Sequence, residues 1–439
     1  MAVHLPKGTR DFLPSQMRNR LAVIAIVRDV FARFGFEPLE TPAFERIETL
    51  MGKYGDEGNQ LIYRILKRGE GGKRGEVDLA LRYDLTVPLA RVVAMNPALR
   101  KPFKRYQIQP VWRADRPAKG RFREFYQCDV DICGTVSPVA DAECLAVVVG
   151  ALDALGFKKY TVRLNDRRIL ADLAASAGAA DSKQEMSVLI ALDKLDKIGR
   201  DGVNKELAGR GFEGAPVDAM WSALERQPDN NTTLAHLEAQ LSERGKEGVA
   251  VLRRVLAAAA GLGVAADRIV IDPTLARGLD YYTGPVFECA VTEPKVGSIA
   301  GGGRYDQLIG MFSNQDVPSV GVSLGLERII AVMEELGMLP ETQAGAQVLV
   351  TVFSDDTLTA SIDATRQLRE AGIASELYLG ATSSRKSFSK QMKYANAGGY
   401  PYVLVIGPDE MDAGHAKLKN MASGEQQTLP LSQVIGLLS

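Results

Sequence analysis

The segment from Phe103 to Cys133 constrains the fold more than any other part of the chain, because two aromatic-rich stretches flank a short basic turn. From Arg100 to Arg123 there are nine Lys and Arg residues and a single acid, Asp115. The stretches on either side of the turn alternate or cluster their apolar residues in the manner of strands. The segment therefore predicts two strands joined by a charged turn.

The charge of this turn admits two interpretations. A run of like charges is commonly a solvated loop, and charge alone favours that interpretation. Aromatic residues interleave with the basic ones, among them Tyr106, Trp112 and Phe122, and arginines beside aromatic rings suit a nucleotide or a nucleic-acid end. The whole chain has 53 Lys and Arg against 54 Asp and Glu. Any such partner therefore has to be held by a local patch rather than by a global basic field.

The residue composition and the spacing of apolar residues change several times along the chain. Residues 15–35 have the apolar spacing of an amphipathic helix, whereas residues 79–95 cluster in a strand-like manner. Between about residues 166 and 267, Ala, Leu, Lys and Glu at helical spacing predict a mostly helical insertion. A linker at 336–346 precedes residues 347–439, where strand and helix patterns alternate as in a small α/β domain.

The composition is typical of a globular protein from a reducing compartment. With 439 residues, the chain is long enough for two or three domains. Its four cysteines form no C-x-x-C pair and only three histidines accompany them, so we expect free core thiols and no metal held by His or Cys. No apolar signal region is visible at the N-terminus, and residues 255–266, the longest apolar stretch, are too short to cross a bilayer. We therefore expect a cytoplasmic protein without membrane contact.

Common phosphate-binding and hydrolytic motifs are missing from the sequence, including G-x-x-x-x-G-K-[ST], H-E-x-x-H and G-x-S-x-G. The GGGRYD run at 301–306 lacks the third glycine of a dinucleotide fingerprint. Two other runs combine charged or hydroxyl-bearing side chains with small residues. They are RGLDYYTGPVFE at 277–288 and GVSLGLERI at 321–329, where glycines precede a helix. A tyrosine pair before a strand is by itself more often core packing. Glycines on a strand, in contrast, let a flat ligand lie against the backbone.

Together these runs resemble the motifs of the class II aminoacyl-tRNA synthetases, especially their histidine-specific members. The helix and strand that end at Pro42 are similar to the family's first motif, residues 103–134 to its second, and GVSLGLERI to its third. The resemblance covers essentially the whole chain. It implies an α+β catalytic domain over residues 1–335, with an antiparallel sheet flanked by helices and the helical insertion within it. It also implies an anticodon-binding α/β domain over residues 347–439.

The resemblance implies an ATP-dependent ligase that attaches L-histidine to its tRNA through a histidyl-adenylate, using ATP with Mg²⁺. At the family's positions, Arg113 would contact the α-phosphate, and Arg328 and Gly325 would bind ATP. Arg277 would act as a fixed cation near the substrate carboxylate and the α-phosphate. Such a reaction needs positioning and neutralisation of two anions rather than a covalent nucleophile.

The resemblance also implies the contacts of the amino acid and the tRNA. Asp84, Thr86 and Gln127 match the positions that bind the α-amino group. Asp131 and Tyr282 match those that meet the two imidazole nitrogens, with Tyr281 beside them. The acceptor end of histidine tRNA would contact the basic residues of the turn, namely Arg116, Lys119, Arg121 and Arg123. Family membership further implies a homodimer formed through the first motif.

Two alternatives remain open on the sequence. The first is a catalytically silent, synthetase-like regulatory subunit of histidine biosynthesis, which the C-terminal domain and the intact set of Arg113, Arg277 and Arg328 argue against. The second is a synthetase for another amino acid such as proline, threonine or glycine. That alternative shares the type of C-terminal module but does not explain the RGLDYYTG run.

Overall fold

The structure is a computed structural model, and it describes residues 3–53, 55–118, 120–277, 281–294, 297–339, 345–380 and 385–439. The chain divides into two compact units. The first comprises Met1–Asp11 and Arg20–Leu339, and the second comprises Phe12–Asn19 and Pro340–Ser439. Within the described residues, none of the helices has the length and apolar character needed to span a membrane.

Up to Cys133 the chain forms short strands and helices followed by a long hairpin. These elements are α1 (Pro14–Arg33), β1 (Glu37–Pro38), β2 (Phe44–Arg46), α2 (Ile47–Leu50), α3 (Gly55–Gln60), β3 (Arg64–Leu66), α4 (Gly69–Lys73), β4 (Val77–Leu81), α5 (Thr86–Met95), β5 (Phe103–Trp112) and β6 (Glu124–Cys133). The hairpin of β5 and β6 is the strand–turn–strand that the sequence predicts.

The remainder of the first unit alternates helical and extended stretches. It contains α6 (Pro138–Ala154), β7 (Tyr160–Asp166), α7 (Arg167–Ser176), α8 (Ser182–Leu192), α9 (Leu195–Ala208), α10 (Ala215–Ala223), α11 (Asn230–Gln240), α12 (Glu243–Gly261), β8 (Ile269–Ile271), β9 (Pro285–Val291), β10 (Ser298–Arg304), β11 (Ser319–Gly325) and α13 (Leu326–Glu335), with short 3₁₀ turns at Ala266–Arg268 and Ile309–Phe312. Helices α7 to α12 all lie between β7 and β8, in the region where the sequence predicts a helical insertion.

An eight-stranded sheet forms the centre of the first unit, with strand order β1-β5-β6-β11-β10-β9-β7-β8. The pairs from β5 to β7 are antiparallel, whereas β1 and β8 join the two edges in parallel. Helix α6 is buried along most of its length and contributes Leu145, Val148 and Leu152 to the core beside this sheet. The α+β architecture predicted for the catalytic domain is confirmed.

Two local expectations had different outcomes. Helix α1 matches the prediction, because Val23, Val27 and Val30 are buried at helical spacing and Gly35 ends the segment with φ of +74°. The strand-like interpretation of residues 79–95 is wrong after Leu81, because Thr86–Met95 is helical. Short apolar runs do not distinguish a buried strand from a buried helix by periodicity.

The second unit has its own five-stranded sheet, with order β13-β12-β14-β15-β16. Its elements are β12 (Val348–Val350), α14 (Leu358–Glu370), β13 (Ser375–Leu377), α15 (Arg385–Gly398), β14 (Tyr402–Val405), α16 (Pro408–Asp412), β15 (His415–Asn420), β16 (Gln426–Pro430) and α17 (Leu431–Leu438). Strand β12 is parallel to both neighbours, and β14, β15 and β16 form an antiparallel meander. The predicted C-terminal α/β fold is confirmed.

The four cysteines Cys128, Cys133, Cys144 and Cys289 are all buried and free. Burial raises the pKa of the Cys133 thiol to about 12, so this thiol stays protonated at neutral pH. The prediction of free core thiols is confirmed.

Candidate active site

A cavity of about 740 Å³ opens in the first unit above the central strands of the sheet. Its walls include most of the side chains that the sequence predicts for the site: Asp84, Thr86, Arg113, Arg121, Gln127, Asp131, Arg277, Tyr281, Tyr282, Gly325 and Arg328. Arg116 and Arg123 are not among the lining residues, and Lys119 lies outside the described residues. The fold therefore brings together residues that lie far apart in the sequence.

The floor of the cavity is one face of β6, where Gln127, Asp129 and Asp131 follow each other at every second residue. The facing positions of β11 are Gly325, Ser323 and Gly321, in the same order. At Gly321 a larger residue would not fit, because a Cβ atom there would lie 1.9 Å from Oδ1 of Asp131. This glycine of β11 thus leaves room for the Asp131 side chain of β6.

Asp131 is a buried carboxylate with two strong partners. Its Oδ2 atom lies 2.8 Å from Nη2 of Arg105, which is fully buried on the neighbouring strand β5. The hydroxyl of Tyr305 donates a hydrogen bond to Oδ1. Burial raises the pKa of Asp131, and both partners oppose this rise. The result is a fixed carboxylate facing the cavity.

A cluster of aromatic rings stands beside Asp131. The rings of Tyr281 and Tyr282 are 4.7 Å apart in an edge-on arrangement, and Tyr281 is also 6.0 Å from Tyr305. Burial raises the pKa of Tyr282 to about 12, so its phenol is neutral and can donate or accept a hydrogen bond. A carboxylate and a phenol next to each other suit a ring with two nitrogens.

Asp84 and Thr86 come from the connection between β4 and α5. Oδ1 of Asp84 accepts a hydrogen bond from the backbone N–H of Val87 at 3.0 Å, which caps the first turn of α5. Asp84 is buried while Thr86 is half-buried, and both line the cavity. The helix start therefore fixes a second carboxylate near the β6 face.

A second group of lining residues is cationic. Arg113 follows β5; its Nε donates to the carbonyl of Tyr83 at 2.9 Å, and its guanidinium carbon lies 4.3 Å from the centre of the Tyr83 ring. Nε of Arg277 lies 3.2 Å from the Glu288 carboxylate. These contacts fix two guanidinium groups at the wall without burying them completely.

Arg328 occupies the first turn of α13, where its Nη1 donates to the carbonyl of Ser298 at 2.5 Å. Its pKa is lowered by burial and by the nearby charges of Arg277 and Arg121. Several cations forced together in this way are suited to a polyanion. A Cβ on Gly301 would lie 2.0 Å from Nη1 of Arg277, so glycine at that position keeps the cationic wall in place.

The basic turn between β5 and β6 is tightly closed. Ala118 and Arg121 exchange backbone hydrogen bonds of 3.0 and 2.9 Å, and Arg121 forms an ion pair of 2.6 Å with Asp115. The backbone N–H of Arg123 donates to the carbonyl of Gly8 at 2.8 Å. Arg116 is exposed at the tip. The turn is therefore held by its own acid and by the N-terminal segment.

The sequence motifs did not identify several residues that shape the site. Glu327 in α13 is buried and paired with Arg20 of α1 and with Arg10. Arg105 neutralises Asp131, and Asp129 lies between Gln127 and Asp131. The alternation of polar residues along β6 was the available signal for Asp129. The ion pairs of Glu327 join residues more than 300 positions apart, and no local pattern indicates them.

No set of three or more His, Cys, Asp or Glu side chains that could hold a metal ion occurs in the described part of the chain. The Glu288 carboxylate lines the cavity beside Arg277. One carboxylate next to a cationic wall fits a magnesium ion that arrives bound to phosphate oxygens, because Mg²⁺ commonly takes one or two protein carboxylates and keeps substrate phosphates and waters.

Comparisons with known proteins agree with this geometry. Residues 8–329 match the family model for histidyl-tRNA synthetase, and residues 347–439 match the model for an anticodon binding domain. A histidine–tRNA ligase from Gloeobacter violaceus is 44% identical, over 97% of this chain and 96% of its own. One from Cytophaga hutchinsonii is 41% identical, over 98% of each chain.

Solved structures give the same result. The histidyl-tRNA synthetase from Nostoc sp. PCC 7120 superposes with a TM-score of 0.84 at 32% identity, covering 100% of this chain and 99% of that one. A Bacillus halodurans protein described as an ATP phosphoribosyltransferase regulatory subunit/histidyl-tRNA synthetase has a TM-score of 0.74 at 22% identity, and it covers 89% of this chain and 96% of its own. At that identity the likeness shows the fold alone. From the two family models and the full-length relatives, we conclude that this chain belongs to the histidyl-tRNA synthetase family of class II aminoacyl-tRNA synthetases.

Proposed function

We propose that this protein activates L-histidine with ATP and transfers the histidyl group to histidine tRNA. The observation that carries this proposal is that two chemically different groups of side chains line one cavity. Carboxylates and phenols line the floor, at Asp131 and Tyr282, and guanidinium groups line the wall, at Arg113, Arg277 and Arg328. An amino acid with a cationic amine and a two-nitrogen ring fits the first group, and a triphosphate fits the second.

In the activation step, an oxygen of the histidine carboxylate attacks the α-phosphorus of ATP. The bond from that phosphorus to the bridging oxygen breaks, and pyrophosphate leaves with its electron pair. Arg113 and Arg277 are the cations that we assign to the region where the two anions meet, and we assign Arg328 to the outer phosphates. Fixed cations lower the barrier because they stabilise charge that develops in the transition state without having to reorganise.

Histidine would be recognised by groups that a close analogue leaves unpaired. We assign the imidazole nitrogens to Asp131 and Tyr282, with Tyr281 packed beside them, and the α-amino group to Asp84, Thr86 and Gln127. An amino acid that lacks the ring N–H and the ring acceptor would leave the buried carboxylate of Asp131 and the half-buried phenol of Tyr282 without a ligand partner. Such sites can discriminate by about 10⁴-fold without an editing step.

ATP would bind against Arg113, Gly325 and Arg328, and magnesium bound with it would screen the charge of the outer phosphates. Glu288 is the carboxylate of the cavity that we assign to the ion. Arg277, which pairs with Glu288 at 3.2 Å, would keep this carboxylate in place while also facing the α-phosphate.

The tRNA would be held at two places. We propose that Arg116, Lys119, Arg121 and Arg123 contact phosphates of the acceptor end, which positions the terminal ribose without reading bases. We further propose that residues 1–335 form the activating domain and that residues 347–439 bind the anticodon end, with 336–346 as the linker. By family resemblance we propose a cytoplasmic homodimer formed through the first motif.

ATP–pyrophosphate exchange tests the activation proposal. The wild-type protein should exchange label only when L-histidine is present, and Asp131→Asn should lose most of this exchange. Asp78→Asn, the same substitution on the exposed side of β4, is the matched control and should behave as the wild type. No exchange by the wild type would overturn the proposal and favour a regulatory subunit. Exchange with proline, threonine or glycine instead of histidine would also overturn it.

A further inference from the structure

Among the residues that the structure describes, two hydrogen-bond acceptors on the cavity floor have no partner. They are Oδ1 of Asp129 and Oε1 of Gln127, both buried and two residues apart on the same face of β6. Their neighbour Asp131 also has an oxygen without a hydrogen bond, but Arg105 neutralises it at 2.8 Å. Buried acceptors without partners are costly, so native proteins retain them where a ligand or water supplies the donor.

The strands on either side do not supply that donor. On β5 the residue opposite Asp129 is Gln107, whose side-chain amide donates to Thr41 at 2.9 Å and to Gln109 at 2.6 Å. On β11 the opposite residue is Ser323. A hydroxyl has a single proton, so Ser323 satisfies one oxygen of Asp129 at most. The second oxygen remains available to the cavity.

Ser323 also fixes the orientation of Gln127. Nε2 of Gln127 donates to the Ser323 hydroxyl at 2.8 Å, and Ser323 in turn hydrogen-bonds with Asp129. Because the hydroxyl gives its proton to the carboxylate, it has to accept from the amide, and the amide oxygen then stays without a partner. The network therefore leaves two acceptors, Oδ1 of Asp129 and Oε1 of Gln127, without a donor among the described residues.

The charges on the floor point in the same direction. Asp84, Asp129 and Asp131 are three buried carboxyl groups, and all three line the cavity. Arg105 is the buried cation beside them and pairs directly with Asp131. Burial raises the pKa of Asp129 to about 7, Asp131 and Asp84 add to the rise, and Arg105 and Ser323 oppose it. Without a ligand Asp129 therefore keeps its proton up to about neutral pH, and a ligand cation beside it would favour the ionised carboxylate.

We propose that Asp129 is a further substrate-binding residue, whose free carboxylate oxygen accepts a hydrogen bond from the α-ammonium group of the bound amino acid. An ammonium group carries three N–H donors and one positive charge, so a single group can satisfy both Gln127 and Asp129. The family resemblance assigns the α-amino group to Asp84, Thr86 and Gln127 and gives Asp129 no role. The inference rests on the proposed function, because it concerns how that site holds histidine.

The test compares two ligands that differ only in the amine: L-histidine and imidazolepropionate, its analogue without the α-amino group. Dissociation constants are measured by calorimetry on the full-length protein, for the wild type, Asp129→Asn and the exposed control Asp78→Asn. Asp129→Asn should weaken histidine binding by about tenfold or more, because a charge-assisted hydrogen bond is lost. Binding of imidazolepropionate should change by less than about twofold, because that ligand has no amine to lose the contact.

If Asp129 had only a structural role, Asp129→Asn would weaken the binding of both ligands by the same factor. Either that result or an unchanged affinity for histidine overturns the inference. Ser323→Ala provides a second variant in case Asp129→Asn does not fold. Ser323→Ala should weaken the binding of histidine by a few-fold and leave the binding of imidazolepropionate unchanged. An equal loss of affinity for both ligands would count against the inference. Failure of the proposed function is distinguishable, because the wild type would then show no histidine-dependent pyrophosphate exchange.

Discussion

At the scale of residues, one cavity is lined by two groups of oppositely charged side chains. The carboxyl groups of Asp84, Asp129 and Asp131 lie on the floor, and the guanidinium groups of Arg113 and Arg277 lie on the wall. The carboxyl groups attract an amine and an imidazole, whereas the guanidinium groups attract phosphates.

The first prediction concerns Arg277. We expect Arg277→His to lower the rate of histidine-dependent pyrophosphate exchange by about 10²-fold or more while the KM for histidine changes little, because the charge acts mainly on the transition state. Steady-state exchange measured at varied histidine concentration separates the two parameters. Loss of histidine affinity with unchanged turnover would show that Arg277 binds the ground state instead.

The second prediction follows from the pKa of Asp129. In the folded protein this pKa is raised to about 7, above the value of about 3.9 expected in an unfolded chain. Between these two values the folded protein holds a proton that the unfolded chain has lost, so the stability contributed by this group falls as the pH rises. Asp129→Asn removes the titration, and its Tm relative to the wild type should therefore increase from about pH 5 to about pH 8 in the absence of histidine.

Thermal unfolding of the two proteins at both pH values measures this difference. Asp78→Asn serves as the control, because its exposed side chain lacks the burial that raises the pKa of Asp129. The difference in Tm between Asp129→Asn and the wild type could instead stay constant across the pH range. That result would show that Asp129 is already ionised in the folded protein at about pH 5.

The family resemblance predicted that Gln127 and Asp131 belong to the site, but it did not reveal the role that we propose for Asp129. Alternation along a strand shows which side chains share a face. It does not show which acceptors find a donor, because that depends on residues such as Gln107 and Ser323 on two other strands. Partnership between side chains is a property of the folded sheet.

At the scale of elements, the N-terminal segment stabilises the turn between β5 and β6. Arg123 donates its backbone N–H to Gly8, and Arg10 forms an ion pair with Glu327 and lies 3.5 Å from the centre of the Phe122 ring. The turn of the second motif is thus anchored to the helix of the third motif through a short stretch of chain that has no regular secondary structure. The sequence predicts the two motifs but not this connection.

The third prediction tests that anchor at Gly8, which has φ of +87° and no room for a side chain. A Cβ atom there would lie 2.8 Å from Cγ of Arg123. We expect Gly8→Ala to lower histidine-dependent exchange by about fivefold or more, because the strained backbone and the contact both displace the turn. The rate of exchange under saturating substrates is the measurement.

Gly75→Ala is the matched control, because Gly75 has a similar φ of +77° and nothing within 4 Å of the added atom. It should cost a comparable amount of backbone strain without changing the exchange rate. Equal effects of the two substitutions would mean that the segment around Gly8 contributes stability only and does not position the turn.

Prediction of elements from sequence succeeded where the periodicity extended over many residues. The long strands β5 and β6 and the helix α1 fall in this group. It failed for Thr86–Met95, a buried helix whose apolar residues Val87, Leu89, Ala90 and Val93 are too closely spaced to distinguish it from a strand. The helical conformation of α5 is stabilised by packing against other apolar residues in the first unit. The local sequence does not contain that information.

At the scale of the whole molecule, the chain consists of two units with separate sheets and separate hydrophobic cores. The fourth prediction uses this division. We expect a protein ending at Leu339 to keep histidine-dependent pyrophosphate exchange but to charge tRNA at least about tenfold more slowly than the full chain, because activation needs the first cavity alone whereas charging needs the contacts that we assign to residues 347–439. Equal charging by the truncated and full-length proteins would refute the anticodon assignment.

The central claim, that this protein joins histidine to its tRNA, is tested most directly by aminoacylation. Purified full-length protein is incubated with ATP, Mg²⁺, labelled amino acid and a transcript of histidine tRNA, and the label in precipitated tRNA is counted. We predict that L-histidine is incorporated and that proline, threonine and glycine are not. A protein that incorporates no histidine under these conditions, or that incorporates another of these amino acids in its place, would contradict the claim.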